Sequence, residues 1–132
     1  MTVKRIAVSI EPELLEKLEK SMRRRVYRNR SKAVSDVLRA WFSRDEWAAG
    51  KGRRVGAISI CYDHHTPRVL DRITDIQHEH GATVIATLHV HISHRECLEV
   101  LVAKGNAEKI RKIADSLASV RGVKSCSLSA VA

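Results

Sequence analysis

The second half of the chain consists of segments in which the spacing of apolar residues switches between the periods of strands and helices. Apolar residues alternate along a half-buried strand, whereas the buried stripe of a helix recurs every three or four positions. These two patterns predict strands at 55–62, 83–92, 97–104 and 123–131, and helices at 67–80 and 106–120. The connections between the segments are short, and short connections leave few ways of packing them.

The order strand, helix, strand, strand, helix, strand is that of the ferredoxin-like fold. In that arrangement two helices cover one face of a four-stranded antiparallel sheet. We therefore predict an α+β protein in which residues 55–132 form a ferredoxin-like βαββαβ domain. The second face of the sheet would remain available for an oligomer interface.

Residues 1–47 are predicted to form a separate βαα unit, joined to the second domain by a polar, glycine-containing linker at 48–54. Pro12 suits the first turn of a helix, and Ser31 suits the N-cap of a second helix that ends at about Trp47. Apolar stripes at helical spacing predict the buried faces of the two helices. They are Leu14, Leu15, Leu18 and Met22 in the first helix, and Val34, Val37, Leu38 and Trp41 in the second.

The segment before the first helix alternates strictly, so Arg5, Ala7 and Ser9 share one face of a short strand. A single strand with two helices buries too little surface to be stable alone, and pairing with the same strand of a second chain solves this problem. The resulting ribbon can enter the major groove of DNA. This pattern resembles the ribbon-helix-helix family. The resemblance implies that these three side chains face base edges, and that Arg30 and Ser31 clamp a phosphate at the start of the second helix.

Charge and metal-ligating residue types are segregated between the two halves. Residues 1–54 contain 15 Lys and Arg against 7 Asp and Glu, whereas residues 55–132 contain 9 against 8. All 7 histidines and all 3 cysteines lie in the second half. Five arginines fall within Arg23–Arg30; such a run alone is usually a solvated patch, but beside a strand-helix-helix pattern it favours DNA phosphate. The chain is therefore predicted to bind phosphate with one half and to use imidazole and thiol groups with the other.

The segment from Thr87 to Cys97 contains the strongest candidate site. His89 and His91 are two positions apart on a predicted strand, so both side chains point to one face. The chain turns at 93–96 and brings Cys97 back on the adjacent strand. Two imidazoles and a thiolate can then converge on one cation, with a fourth ligand from His78 or His80, on this chain or a partner. Chance clustering and a catalytic Cys–His pair remain alternatives.

With these motifs in place, the whole chain resembles the NikR family of nickel-responsive repressors, which join a ribbon-helix-helix domain to a ferredoxin-like, ACT-type domain. The matching stretches are Arg5–Ile10, Asn29–Ser31, Gln77–His78 and Thr87–Glu99. The resemblance implies that His89, His91 and Cys97 of one chain, with His78 of a partner chain, bind Ni(II) in a square plane. It further implies one nickel ion per chain, a homotetramer built as a dimer of dimers, and repression through a palindromic double-stranded operator.

Other residues near this site carry weaker expectations. Glu99 shares strand parity with Cys97 and is a candidate acceptor for the N–H of a ligand imidazole, or an ordinary carboxylate. The remaining histidines are expected in exposed loops, with weak metal contacts as the alternative: His64, His65, His80 and His94. Cys61 and Cys126 are expected to be buried small side chains. Lys32 occupies a position where the family can have an acidic residue that would share an accessory cation with Asp36. Whether this chain has such an accessory cation site is therefore left open.

No segment approaches the roughly 20 apolar residues that span a bilayer, and the N-terminus lacks a signal-peptide pattern. We therefore expect a soluble, cytoplasmic protein with no membrane partner. An enzyme is not expected and no catalytic residue is assigned, because no oxyanion-binding or substrate-binding feature accompanies the cysteine. Three other functions remain open: a regulator of the same build that senses another metal or a small molecule, a metalloenzyme, and an interaction protein such as an antitoxin.

Overall fold

The computed structural model describes residues 2–50 and 52–132, which fall into two compact units that divide between Trp41 and Phe42. Met1, in the predicted βαα unit, and Lys51, in the predicted linker, lie outside the described residues. The helices are α1 (Pro12–Arg24), α2 (Arg30–Ala48), α3 (Val69–Glu79) and α4 (Ala107–Ala118). The strands are β1 (Arg53–Asp63), β2 (Val84–His91), β3 (Glu96–Asn106) and β4 (Val123–Ala130).

The second unit contains a four-stranded sheet in the order β2-β3-β1-β4, with every neighbouring pair antiparallel. This order and the βαββαβ succession confirm the predicted α+β class and the ferredoxin-like arrangement of residues 55–132. The predicted segments differ from the observed ones by no more than a few residues at their ends. The sheet positions the site by register: Tyr62 pairs with Cys97 across β1 and β3, and His91 pairs with Cys97 across β2 and β3.

One face of the sheet forms the core together with α3 and α4. Alternate residues of β1 and β3 are fully buried on this face, as the strand period requires. The helices contribute the apolar positions that their spacing predicts, including Ile73 and Ile76 from α3 and Ile110 and Ile113 from α4. Asn106 caps α4 by accepting hydrogen bonds from the backbone N–H groups of Glu108 and Lys109.

In the first unit, α1 begins at Pro12 as predicted, but the N-cap of α2 was assigned to the wrong residue. Asn29, not Ser31, caps α2, because the Asn29 Oδ1 atom accepts a hydrogen bond of 2.8 Å from the Lys32 N–H. Ser31 lies inside the first turn. Asparagine and serine are almost equally good caps, so the sequence alone did not separate these positions.

Asp36 ties together the loop and the start of α2. Its carboxylate accepts hydrogen bonds from Lys32 Nζ at 2.6 Å, Tyr27 OH at 2.6 Å and Arg39 at 3.0 Å. The hydrogen bond from Lys32, followed by those from Tyr27 and Arg39, lowers the pKa of Asp36 far below its ordinary value. The Lys32 ammonium therefore forms an ion pair with the carboxylate that an accessory cation would need as a ligand.

Two predictions for the first unit do not hold within the single chain. Residues 2–11 precede α1 without forming the predicted strand at Arg5–Ile10, and their side chains are exposed. The apolar stripe predicted to be buried on α2 is also exposed: Val34, Val37, Leu38 and Trp41. A strand needs a neighbour to satisfy its backbone hydrogen bonds, and this single chain offers no strand beside residues 2–11 within its described part.

Candidate metal centre

The register of β2 against β3 brings the predicted ligands together. His89 lies opposite Glu99 and His91 lies opposite Cys97, all on the face of the sheet that carries the core. The ligand atoms of His89, His91 and Cys97 lie within 4.8 Å of one another, and this is the one such group among residues 2–50 and 52–132. The hairpin that the sequence predicted therefore assembles three of the four proposed ligands.

The donor set and its spacing fit a divalent transition metal. The Nδ1 atom of His91 is 3.4 Å from the Sγ atom of Cys97. Metal–nitrogen and metal–sulfur bonds of the usual lengths place two neighbouring ligand atoms about 3.1 to 3.6 Å apart. Imidazole with thiolate suits nickel, copper and zinc, whereas calcium and magnesium prefer oxygen ligands. Cys97 is fully buried, whereas His89 and His91 are exposed. The thiol is therefore on the buried side of the candidate centre and the two imidazoles are on its solvent side.

Glu99 is the centre of a hydrogen-bond network beneath the two histidines. Its buried carboxylate accepts hydrogen bonds from Tyr62 OH at 2.8 Å and from Gln77 Nε2 at 2.9 Å. The Nδ1 atom of His89 lies 3.0 Å from the Glu99 Oε1 atom. A carboxylate only accepts hydrogen bonds, so this contact favours the tautomer with the proton on Nδ1 and leaves Nε2 of His89 free for a metal.

The network extends to α3. Thr87 Oγ1, on β2, donates a hydrogen bond of 3.0 Å to Gln77 Oε1, and Gln77 in turn donates to Glu99. The last turn of α3 is thereby fixed to β2 and β3 at the candidate centre. Sequence reasoning did not identify Tyr62 at this site, although Tyr62 has the strand parity of Ile58 and Ile60, which line the core. It included Thr87 in the candidate segment but gave it no role.

Burial sets the protonation of two groups in the centre. Burial, reinforced by the charge of Glu99, raises the pKa of the Cys97 thiol above its ordinary value of 9.0. Burial and the hydrogen bond to Glu99 raise the pKa of Tyr62, which therefore stays protonated and donates. Without a metal, Cys97 is thus a neutral thiol at pH 7.

His78 does not belong to the group formed by His89, His91 and Cys97. It is exposed in the last turn of α3, next to Gln77. His80 ends the same helix as its C-cap residue and is half-buried. The structure of one chain therefore leaves His78 on the surface, where another chain can reach it.

The remaining histidines form a second group beside the centre. The Nε2 atom of His64 lies 2.6 Å from the backbone oxygen of His94. The ring of His65 packs against those of His64 and His94, at centroid distances of 4.4 and 5.3 Å. His65 and His94 are exposed, as expected for loop residues, whereas His64 is half-buried. Cys61 and Cys126 are half-buried rather than buried.

Along β2 and β3, the face of the sheet opposite the core is apolar and partly open. Its residues on these two strands include Leu88 and Val90 of β2, which are exposed, and Leu98, Val100 and Val102 of β3, which are half-buried. The edge strand β2 thus presents its metal-ligating side chains on one face and apolar side chains on the other.

The residues predicted to contact DNA are all exposed. Arg5, Ala7 and Ser9 lie in the segment before α1. Arg30 and Ser31 occupy the first turn of α2, where Arg30 forms an ion pair with Glu19 of α1. The N–H of Lys32 is bonded to Asn29, and the helix dipole at such a terminus favours anions.

No helix within the described part of the chain is long and apolar enough to cross a membrane.

Comparison with known proteins connects this centre to a family. Residues 55–131 match a family model described as the NikR C-terminal nickel-binding domain. A protein of Pyrococcus furiosus named as a nickel-responsive regulator is 44% identical over 124 residues, covering 94% of this chain and 90% of that protein. One of Geobacter sulfurreducens with the same name is 42% identical over 120 residues, covering 91% and 86%.

A solved structure extends the likeness in fold. The uncharacterized protein TM1266 from Thermotoga maritima superposes with a TM-score of 0.56 and 12% sequence identity. The match covers 61% of this chain and 100% of that one. At so low an identity the likeness shows the fold alone.

Proposed function

This chain belongs to the NikR family of nickel-responsive regulators, and from that premise we propose that it is a nickel-dependent, DNA-binding transcriptional repressor. The family is one of regulators rather than enzymes. The observation that carries the proposal is the convergence of His89, His91 and Cys97 on one side of a hairpin, above a buried carboxylate. We expect the protein to act in the cytoplasm, where its DNA target lies.

We assign the nickel ligands to His89, His91 and Cys97 of one chain and to His78 of the partner subunit, with one Ni(II) per chain. Three ligand atoms of one chain leave a coordination position for a fourth donor. His78 is exposed on α3 and outside the group of its own chain, which suits a ligand given to a neighbour. When bound, nickel would supply a fixed bridge between two chains.

The hydrogen bond from Gln77 to Glu99 would connect the two metal centres that such a bridge joins. Gln77 donates to Glu99, which contacts His89, so α3 is tied to the metal centre of its own chain. The next residue, His78, would bind the metal of the partner chain. One turn of α3 would thus respond to two metal ions, and occupancy would favour a single arrangement of the interface.

Exposed apolar surfaces support a homotetramer that is a dimer of dimers. Val37 on α2 is 62% exposed, and Ile6 before α1 is 76% exposed. These positions would be covered when two N-terminal units pair as a ribbon-helix-helix dimer. The open sheet face with Leu88 and Val90 would be covered between second units. Contiguous apolar surface of this kind commonly marks an interface.

The N-terminal units would read the operator. Paired residues 5–9 would form a ribbon in the major groove, with Arg5, Ala7 and Ser9 toward the bases. Arg30 and Ser31 would hold a phosphate at the start of α2. Two such dimers require two half-sites, hence a palindromic double-stranded operator. The excess of positive charge in residues 1–54 predicts a steep dependence of affinity on salt.

A subunit-mixing experiment tests the shared site. His78→Ala chains and Cys97→Ala chains are each expected to lose most of their high-affinity nickel binding. Co-assembled tetramers would regain nickel sites, because an intact His78 of one chain meets an intact Cys97 of the other. Nickel content is measured by equilibrium dialysis on mixed and unmixed samples. If the mixture binds no more nickel than its components, His78 does not act across the chains.

A DNA-binding experiment tests the regulator itself. Nuclease protection of the region upstream of this gene and of nickel-uptake genes should reveal a palindromic site protected with nickel present. The Cys97→Ala variant should not protect it, whereas Cys126→Ala, a control cysteine away from the centre, should behave as the parent does. Equal protection by the parent with and without nickel would contradict nickel dependence.

A further inference from the structure

The last turn of α2 contributes one residue, Trp47, to the core of the second unit. Trp47 is only 6% exposed and belongs to the cluster that contains Ile58, Ala103 and Ala107. An ion pair between Glu46 and Arg54 joins the same turn to β1. The residues from Phe42 to the end of α2 thus fold with the second unit, although α2 begins at Arg30.

The ring of Trp47 lies against Gly56, at a place that we call the seat of Trp47, and Gly56 is flanked by small residues on two neighbouring strands. Gly56 of β1 lies opposite Ala103 of β3 on one side and Ala130 of β4 on the other. A Cβ atom on Gly56 would lie 3.1 Å from the Trp47 ring and 3.0 Å from Leu128. Both distances are shorter than ordinary carbon contacts, so the indole occupies the space that a side chain at Gly56 would take.

One row of alternate residues on β3 runs from the candidate metal centre to the seat of Trp47. Cys97, Glu99, Leu101 and Ala103 alternate along β3 and are all buried on the core face. Cys97 and Glu99 are at the candidate centre, and Ala103 lies beside Gly56. Cys97 and Ala103, at the two ends of the row, are six positions apart on the strand, a distance of about 20 Å.

We propose that Trp47 is a positioning residue through which the state of the metal centre reaches the DNA-binding half of the protein. Trp47 is itself neither a proposed metal ligand nor a proposed DNA contact. It anchors the C-terminal end of α2 on the sheet whose opposite end holds the metal, while the N-terminal end of α2 carries the proposed phosphate clamp. This inference rests on the proposed function and specifies one residue that the coupling requires.

The apolar bulk of the ring is what the seat requires. The indole N–H of Trp47 is buried and has no hydrogen-bond partner among the described residues. Phenylalanine at this position would keep a ring in the seat and remove the unpaired N–H. Trp47→Phe is therefore the conservative variant expected to preserve the coupling.

The test compares the nickel-induced gain in operator affinity among full-length variants. Operator dissociation constants are measured by fluorescence anisotropy at fixed salt, with and without stoichiometric Ni(II). Nickel binding is measured separately by dialysis, so that loss of metal is not mistaken for loss of coupling. The variants are Trp47→Ala, Trp47→Phe and Gly56→Ala, with Val120→Ala as a truncation of the same core outside the proposed seat.

The parent, Trp47→Phe and Val120→Ala are expected to gain tenfold or more in operator affinity with nickel. Trp47→Ala and Gly56→Ala should bind nickel and bind DNA without metal as the parent does, but gain less than about threefold. A full gain in Trp47→Ala would overturn the inference. If Trp47→Ala does not fold, Trp47→Leu takes its place, because leucine keeps an apolar side chain but is too small to fill the space of the indole; the same loss of gain is expected, and a full gain would overturn the inference. A parent without any gain would instead refute the proposed function, and this inference with it.

Discussion

The Nδ1 atom of His89 lies 3.0 Å from Oε1 of Glu99, a carboxylate that is buried and also accepts hydrogen bonds from Tyr62 and Gln77. Glu99 therefore orients a proposed nickel ligand while it is itself held by groups from β1 and α3. The buried charge is stabilised by its donors. An arrangement of this kind fixes the imidazole before a metal arrives.

Glu99→Gln should lower nickel affinity about 10- to 100-fold, because the amide no longer draws the His89 proton to Nδ1 as a carboxylate does. Glu96→Gln is the matched control. Glu96 is next to Cys97 on the same strand, but its side chain lies on the opposite face of the sheet from Cys97 and pairs with Lys124. Nickel affinity is measured by competition with a chelator, and circular dichroism checks that both variants fold. Equal affinities of the two variants would remove Glu99 from the centre.

Tyr62→Phe should lower the free energy of unfolding of the metal-free protein by about 1.5 to 3 kcal/mol, the usual range for a hydrogen bond to a charged group. Tyr27→Phe, which removes a hydroxyl that bonds to Asp36 at a more exposed position, should cost less. Both variants are compared with the parent by urea unfolding at one protein concentration. A smaller loss for Tyr62→Phe than for Tyr27→Phe would contradict the buried network.

The affinity for nickel should rise with pH. Burial raises the pKa of the Cys97 thiol above 9.0, so nickel must displace a proton to bind the thiolate at neutral pH. Below that pKa, and above the range in which histidine is protonated, affinity should increase about tenfold per pH unit. Titrations between about pH 7 and 8.5 measure this slope. Cys61→Ala should retain it, and a flat profile in the parent would exclude Cys97 as a thiolate ligand.

Val37→Lys should abolish operator binding and leave nickel binding intact. The exposed Val37 is proposed to be covered when two N-terminal units pair, and a buried lysine would oppose that pairing. The added positive charge would otherwise favour DNA, so a loss cannot be electrostatic in origin. Glu16→Gln, which adds the same unit of charge at an exposed position, should bind the operator at least as well as the parent.

The sequence was sufficient to predict the fold of the second unit, because the contacts that define that fold are within one chain. Alternation along β3 places Cys97 and Glu99 on one face, and helical spacing places Ile73 and Ile76 in the core. The hairpin at 93–96 follows from the same patterns. The hydrogen bond from Tyr62 to Glu99 was not predicted. Tyr62 is on β1 and Glu99 is on β3, and the register between strands that are not consecutive in the chain is set by packing across the whole sheet.

The first unit was harder to predict for a different reason. The alternation of Arg5–Ile10 describes a strand whose proposed partner is in another molecule, so the single chain leaves the segment unpaired. The proposed pairing would also cover the stripe on α2, which is exposed in the single chain. Asn29 rather than Ser31 caps α2, since two good capping residues stood two positions apart.

The most direct test of the account is the operator dissociation constant of the parent protein in metal-free buffer, with one Ni(II) per chain, and with one Zn(II) per chain, at fixed salt. We predict that nickel tightens binding tenfold or more, a coupling free energy of about 1.4 kcal/mol, and that zinc does so much less. Equal tightening by both metals would refute nickel specificity, and identical binding in all three buffers would contradict the claim that this centre controls DNA binding.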